Sequence, residues 1–490
     1  MDFQTIPVSL LAPGTYVEFD NSQANVGLAV QNYKTLLIGQ RTNTGSVAAL
    51  APTKIFGGDT GSRYFGAGSQ LALMVARYRA GNPFGEVWAI ALDDNVAGQA
   101  AAGAITFAGT STAAGTLNAY IDGERVQIAV PSGMTAAQAA TAMAAAINAV
   151  SKLPVTAAID GVNTSKVNLT AKNKGEAGNG LPLSTAYYDG DTVPAGLTAT
   201  ITAFTGGTAN PVITAALAAV AASWYTSFVM PYIDAASTTA MHTELLSRWG
   251  GTVQRDGLCF ISAAGTFSAI DTIGNSLNSP FLCLMGAQGS PVSTHEIAAS
   301  VASQDAIEPD PARQRRTLPL TGILPPVVAN RYTQGERNTH LKSGVATFYT
   351  DDAGVVRIDR LVTTYKTDIN GSPDASYRDV ETMRTLSYLR YTVRVRMSQK
   401  FPRHKLAQDG TPIAAGQPIV TPSVIRLEMI ALYGDWLTAG LVEGGAALEQ
   451  FKQQLVVVIN DTDKDRVDIV LPPDLINRLY VTAAQIQFRS

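Results

Sequence analysis

Three short apolar runs decide the fold: SFVMPY at 227–232, GLCFISA at 257–263 and PFLCLMG at 280–286. None alternates with polar residues, so each reads as a strand buried on both faces. Helix-length stretches separate them, at 238–249 and 267–277, with further helices beginning near Ile213 and covering 294–302. Strand and helix in regular turn imply a parallel sheet covered by helices on both sides.

Working upstream, YKTLLIG (33–39) is another strand, followed by a helix over 70–79 that stops at Gly81-Asn82-Pro83, and a strand over 86–92. The composition then shifts. Residues 94–208 are rich in Gly, Thr and Ala, with short strands (AITFAG, TLNAYID, RVQIAVP, LPVTAAID, KVNLTAK) and one Ala-rich helix over 135–150. This reads as a self-contained β-rich unit inserted between two strands of the surrounding domain. Downstream, Pro319, Pro325 and Pro326 mark a boundary. Beyond them come strands VATFYT and VVRIDRLVTTY, a helix from Tyr377 into the low 390s, a loop over 402–422 and a helix beginning near Ser423.

Both ends of the chain read as strands without a partner. Ile6, Val8 and Leu10 alternate, Pro13-Gly14 turns the chain, and Tyr16, Val17 and Phe19 extend again before a polar hinge, DNSQA at 20–24. At the other end Val467 and Ile469 lie in a short strand. The last stretch sets Tyr480, Thr482, Ala484, Ile486 and Phe488 on one face against Val481, Ala483, Gln485 and Gln487 on the other. A terminal strand must pair with some sheet edge, so two such arms suggest pairing with other copies. The fold class is therefore α/β multidomain: a layered α/β core domain (25–93 with 209–324), an inserted β-rich outer domain (94–208), a C-terminal α+β domain (325–465), and extended strand arms at 1–24 and 466–490.

Composition narrows the function. Charged residues make up 15% of the 490-residue chain, against roughly 25% in ordinary domains. Such a surface favours extensive partner contact, or reflects only an Ala- and Gly-rich composition; both readings stand. A net charge of −3 argues against a dedicated nucleic-acid binder. Cys259 and Cys283 sit in apolar runs and read as reduced core thiols. The start, Met1-Asp2-Phe3, lacks the basic region of a signal peptide. Residues 212–233 carry no charge over a membrane-spanning length. They are mostly Ala and Thr, however, with Ser223, Tyr225, Ser227 and Pro231 among them, so a soluble core is expected.

Enzyme signatures are missing. There is no P-loop and no G-x-S-x-G elbow. Gly175, Gly178 and Gly180 follow Lys172-Asn173-Lys174 in what reads as a flexible hairpin. The four histidines, His242, His295, His340 and His404, have no zinc-ligand spacing. His295-Glu296 reads as a solvated pair at a helix start. Asp461, Asp463 and Asp465 alternate as in a calcium loop, but Arg466 stands where the turn needs Gly and Pro472 where the bidentate Glu belongs. They read as a polar turn, and no metal or cofactor is expected. The run Arg384, Arg390, Arg394, Arg396, Lys400, Arg403, Lys405 holds no acidic residue between Glu381 and Asp409. It is either a solvated cationic face or a docking surface for an acidic protein, with Arg390 and Arg394 one helical turn apart.

The stretch PPVVANRYTQGERNTHLKSGVATFYTDDAGVVRIDRLVTTYKTDINGSPDASYRDVETMRTLSYLR (325–390) resembles the C-terminal core of contractile tail sheath proteins, particularly the phage Mu-like group. APGTYVE (12–18) and VDIVLPPDLIN (467–477) look like the two ends of the same family. The likeness covers most of the chain outside 94–208. It implies a non-enzymatic, cofactor-free subunit that stacks as six-fold rings around a tail tube, with the C-terminal sheath core domain innermost and the insertion outside. The arms would add strands to sheets in neighbouring copies, with Val8, Leu10, Tyr16, Val17, Phe19, Val467, Ile469, Tyr480, Ile486 and Phe488 at those contacts. Arg390 and Arg394 are candidates to face the tube. Triggering at the baseplate would rotate the subunits outward, shorten the sheath and drive the tube through the host envelope. The implied partners are further copies, the tube protein, and baseplate and tail terminator proteins, without direct nucleic-acid contact or membrane insertion. The implied location is the virion tail, assembled in the bacterial host cytoplasm. The rival reading is a tail-associated adhesin or baseplate protein binding through 94–208; an α/β hydrolase-like or nucleotide-binding enzyme comes third.

Overall fold

The computed structural model describes residues 9, 12–17, 28–414 and 416–489. The chain divides into two compact units, Asn32–Ser387 and a smaller one made of Met1–Gln31 with Tyr388–Ser490.

The larger unit is built on an eight-stranded sheet. Its order is Val356–Arg360, Val345–Thr350, Leu282–Gly286, Leu258–Ala263, Ser227–Val229, Lys34–Gln40, Glu86–Leu92 and Thr53–Ile55. The six inner strands are parallel, while both edge strands pair antiparallel to their neighbours. Every residue of Leu258–Ala263 and of Leu282–Gly286 is buried, so these strands show no alternation. Helices Gln70–Gly81, Ala235–Trp249, Phe267–Ser276 and Thr294–Ile307 connect and cover the strands. Ser69, Asp234 and Thr266 each accept a backbone N–H at the first turn of three of these helices, which is why they start there. Cys259 and Cys283 are buried free thiols, and burial pushes both well above their ordinary pKa.

The boundary expected at 324/325 does not interrupt this sheet. Val345–Thr350 lies parallel to Leu282–Gly286, with Leu284 opposite Val345, and Val356–Arg360 extends the sheet by one more strand. The prolines lie in a connection that runs beside the edge strand, where Pro319 bridges to Arg357. Residues 212–233 form a six-residue helix, Thr214–Ala219, a turn and the strand Ser227–Val229. Among the described residues, no helix is long and apolar enough to cross a membrane.

Residues 100–205 carry a second core. A four-stranded antiparallel sheet runs in the order Leu197–Thr205, Ala100–Gly109, Lys166–Lys174, Val155–Ile159. A smaller one has the order Glu124–Val130, Gly115–Ile121, Leu183–Ser184. Helix Ala136–Ala149 completes it, started by a capping box between Thr135 and Gln138. Its core residues, among them Ile105, Phe107, Leu117, Met143, Ile147 and Leu169, form a cluster separate from the central one. The glycines near 175 are not a hairpin: Gly175, at φ 112°, leads into a short 3-10 helix, Glu176–Gly180.

In the smaller unit, helix Pro422–Thr438 buries Ile425, Met429, Leu432, Tyr433 and Trp436. Pro422 suits the first helical turn because its missing N–H has no partner to lose there. Trp436 donates through its indole N–H to Thr392 at 2.9 Å, tying this helix to Val380–Lys400. Helix Ala446–Gln454 follows, then an antiparallel hairpin, Val456–Ile459 with Val467–Val470.

Candidate functional site: the C-terminal hairpin and tail

The hairpin is a two-stranded sheet with no third strand on either edge among the described residues. Isolated hairpins are at best marginal in water. This one also leaves Val456, Val458 and Val470 exposed. Its turn holds the aspartates read earlier as a polar loop. Asn460 Oδ1 accepts from the amides of Thr462 and Asp463, and Asp463 accepts from the amide of Asp465.

Val467 and Ile469, expected in the terminal arm, pair instead within their own chain, opposite Ile459 and Val457. The polar turn brings two β-branched runs back to back, so the extended tail begins later than 466. Leu475 bridges to Val442, the Ile476 amide donates to Leu441 at 3.1 Å, and the Glu443 amide donates to Asp474 at 2.9 Å. Beyond Asn477 the described chain forms no strand, and 481–489 are exposed throughout. Ile486 is 89% and Phe488 88% exposed, whereas Tyr480 is half-buried. Large apolar side chains left in water at this density mark a contact surface. At the other end Tyr16 and Val17 are exposed, with the Tyr16 hydroxyl donating to the Ala12 carbonyl at 3.3 Å. Val8, Leu10, Phe19 and the hinge at 20–24 lie outside the described residues.

The basic run is not one face. Arg384 is buried and pairs with Asp305, while its guanidinium also donates to Thr226 O and to Ser227 Oγ at 2.7 Å. Arg315 meets the same carboxylate at 3.1 Å, and Asp305 and Arg315 are both fully buried. Burial alone would raise the Asp305 pKa, but Arg384 and then Arg315 outweigh it and hold the group below its ordinary value. Arg396 pairs with Glu428 at 2.8 Å and with Asp435 across the neighbouring helix. These arginines serve packing. Arg390 is half-buried, and Arg394 is exposed with its guanidinium 5.8 Å from the Tyr391 ring.

His295-Glu296 is not a solvated pair either, for both are buried. The Gly115–Ile121 and Glu124–Val130 strands are joined by Asp122-Gly123, both at positive φ as a two-residue hairpin turn of this kind requires. That turn delivers Asp122 to the start of helix Thr294–Ile307, where Asp122 Oδ1 accepts from the Ser293 amide at 2.6 Å. Arg77 donates to Glu296 Oε2 at 2.6 Å. Burial, and then the neighbouring Asp122, push the Glu296 carboxyl up to about 8 despite Arg77. The Asp-Gly dipeptide between two alternating strands was the available signal for this turn; nothing local pointed to its partner 171 residues away.

Comparison with known proteins agrees with this architecture. Three family models match: the phage tail sheath protein beta-sandwich domain over 96–209, the phage tail sheath protein central domain over 206–364, and the phage tail sheath C-terminal domain over 372–489. The chain is 38% identical over 492 aligned residues to the Mu-like prophage FluMu tail sheath protein of Haemophilus influenzae, covering 100% of this chain and 99% of that one. The sheath tail protein of Listeria innocua is 12% identical, with a TM-score of 0.49 over 92% of this chain and 94% of that one. That of Desulfitobacterium hafniense is also 12% identical, with a TM-score of 0.48 over 95% of this chain and 100% of that one. The full-length identity and the three consecutive model matches show that the chain belongs to the phage tail sheath family, whose role is structural rather than enzymatic.

Proposed function

We propose that this chain is the repeating subunit of a contractile, Mu-like tail sheath that polymerises around a tail tube and shortens to drive the tube through the host envelope. Family membership supports the sheath role. The observation that carries the polymerisation reading is the exposed tail bearing Ile486 and Phe488, in the same unit as a hairpin that lacks a third strand among the described residues. Strand addition supplies main-chain hydrogen bonds to an edge and pockets for alternate side chains. An arm from one copy, entering beside the hairpin of another, would satisfy both.

Copies stack as six-fold rings, with Val8, Leu10, Tyr16, Val17 and Phe19 of one arm and Tyr480, Ile486 and Phe488 of the other at the contacts. The hairpin strand bearing Val467 and Ile469 acts as a receiving edge. Residues 20–24 serve as the hinge about which bodies swing while the strands stay paired. Contraction consumes no nucleotide, since two packings of one lattice differ by a modest energy per subunit summed over many copies. The tube, the baseplate and the tail terminator are the other partners, and assembly takes place in the host cytoplasm before the sheath enters the virion tail. Arg390 and Arg394 face the tube.

Negative-stain microscopy of the purified chain tests this reading. Hollow cylinders or stacked rings are the expected result, and a population of small discrete oligomers at assembly-promoting concentration contradicts it. Adding tube protein tests the finer assignment. Reversal of both charges, Arg390→Glu with Arg394→Glu, should reduce tube-templated assembly while leaving tube-free rods intact; unchanged templating removes these residues from the tube surface.

A further inference from the structure

Outside the arm region, one group of side chains has a composition that the sheath role does not require. Asp122 comes from the hairpin turn of the inserted domain, and His295 and Glu296 from the first turn of a core helix. One donor atom of each lies within 4.8 Å of the others, and all three residues are buried. It is the sole group of three or more such ligands among the described residues. Asp122 Oδ2 and His295 Nδ1 are both buried without a hydrogen-bond partner among the described residues. An unpaired buried polar atom costs about 1–3 kcal/mol, so two within one three-residue cluster point to an occupant that accepts electron pairs.

The remaining atoms of these side chains are already committed in ways that aim the orphans. Asp122 Oδ1 takes the Ser293 amide at 2.6 Å, and His295 Nε2 sits 3.1 Å from Ser293 Oγ. Arg77 takes Glu296 Oε2 at 2.6 Å. Second partners of this kind are what orient metal ligands. His295 also lines a cavity of about 20 Å³, together with Gln40, Gln70, Asn173, Lys174 and Leu181. That volume suffices for about one water, and it adjoins the cluster through His295, since Asp122 and Glu296 are not among its lining residues. Gln40 Oε1, on the same wall, is another buried acceptor without a partner among the described residues.

We propose that Asp122, His295 and Glu296 hold one divalent cation of the zinc class, which clamps the inserted domain to the α/β core. One imidazole and two carboxylates are a borderline donor set that suits zinc and leaves a fourth position for water. With both carboxyls ionised, as a bound dication would require, Arg77 balances one of them. A bridging water is the alternative occupant. It could satisfy the two orphans while Glu296 keeps a proton beside Asp122, so zinc binding is what separates the two occupants. The metal gives the inserted domain a fixed attachment, added to direct bonds such as Gln40 to Lys174 O at 2.7 Å and Tyr187 to Pro325 O at 2.7 Å.

The probe is Zn²⁺ itself, on the purified full chain. After chelator stripping and dialysis, elemental analysis of the zinc-reloaded protein should give about one equivalent per chain, the stoichiometry of a single site. The melting temperature should fall on stripping and recover on reloading. Asp122→Asn and His295→Gln should each weaken zinc binding by more than the ~10–100-fold that loss of an outer partner costs. Zinc K-edge absorption on the unmutated protein should show nitrogen and oxygen donors including an imidazole, and this arm stands even if a variant misfolds. Absence of stoichiometric zinc in the reloaded chain overturns the proposal in favour of a water-bridged joint. Undiminished binding in both variants, or a sulfur-containing shell, places the metal elsewhere and overturns it equally.

Discussion

Replacing Asp305 by asparagine should lower the stability of the larger unit by about 3–5 kcal/mol, the usual cost of removing one partner from a buried ion pair. The carboxylate is fully buried and stands between two guanidiniums that are themselves buried, Arg315 and Arg384. Without its charge both cations stay in a dry interior facing a neutral amide. Their other hydrogen bonds, to Asp310 O, Thr226 O and Ser227 Oγ, hold them in place and prevent escape to water. The pH dependence gives a second readout. Asp305 has a depressed folded-state pKa, so its contribution is fully present above the unfolded value of about 3.9 and is lost as pH falls through the folded one. The gap between parent and variant in chemical denaturation should therefore be largest near neutrality and close in acid. A gap that stays constant from neutral to strongly acidic pH would mean that the variant acts through packing.

The second large effect is on assembly. Ile486→Asp with Phe488→Asp should leave the fold of the subunit unchanged, since both side chains are almost fully exposed, yet suppress polymerisation. Burying an aliphatic or aromatic side chain contributes about 1.5–3 kcal/mol. Losing two per contact weakens each by ~3–6 kcal/mol, or roughly 10²–10⁴-fold in its equilibrium constant. Each copy repeats the loss, so the critical concentration for rods should rise beyond reach while thermal unfolding of the monomer stays unchanged. Rods forming at the parent's concentration would show that the tail is not a contact.

Much of this architecture is legible in the residues, for reasons that also explain what is not. The inner strands announce themselves because burial on both faces forces continuous apolar runs such as LCFISA and FLCLMG. Helix ends are less visible where polar residues are buried. Thr294–Ile307 runs past the expected stop at Ala302 because Ser303, Gln304 and Asp305 are all enclosed, Asp305 by its two arginines. The helix expected from Tyr377 into the low 390s is Val380–Lys400, prolonged on a side where Arg396 finds Glu428 and Asp435. Pairings between distant segments leave no local trace. Nothing in VATFYT shows that it lies beside Leu282–Gly286, and nothing near His295 shows Asp122. The tail's alternation predicts a strand, yet among the described residues 481–489 form none, while Val467 and Ile469 are already paired. Period-two patterning records which conformation a segment favours; it does not say which edge completes it.

Amide hydrogen exchange over 481–489, measured on isolated subunits and on assembled rods of the same preparation, tests arm exchange most directly. Fast exchange in the subunit and protection by several orders of magnitude in the rod is the outcome this account requires. Protection already complete in the isolated subunit, or none gained in the rod, would contradict it.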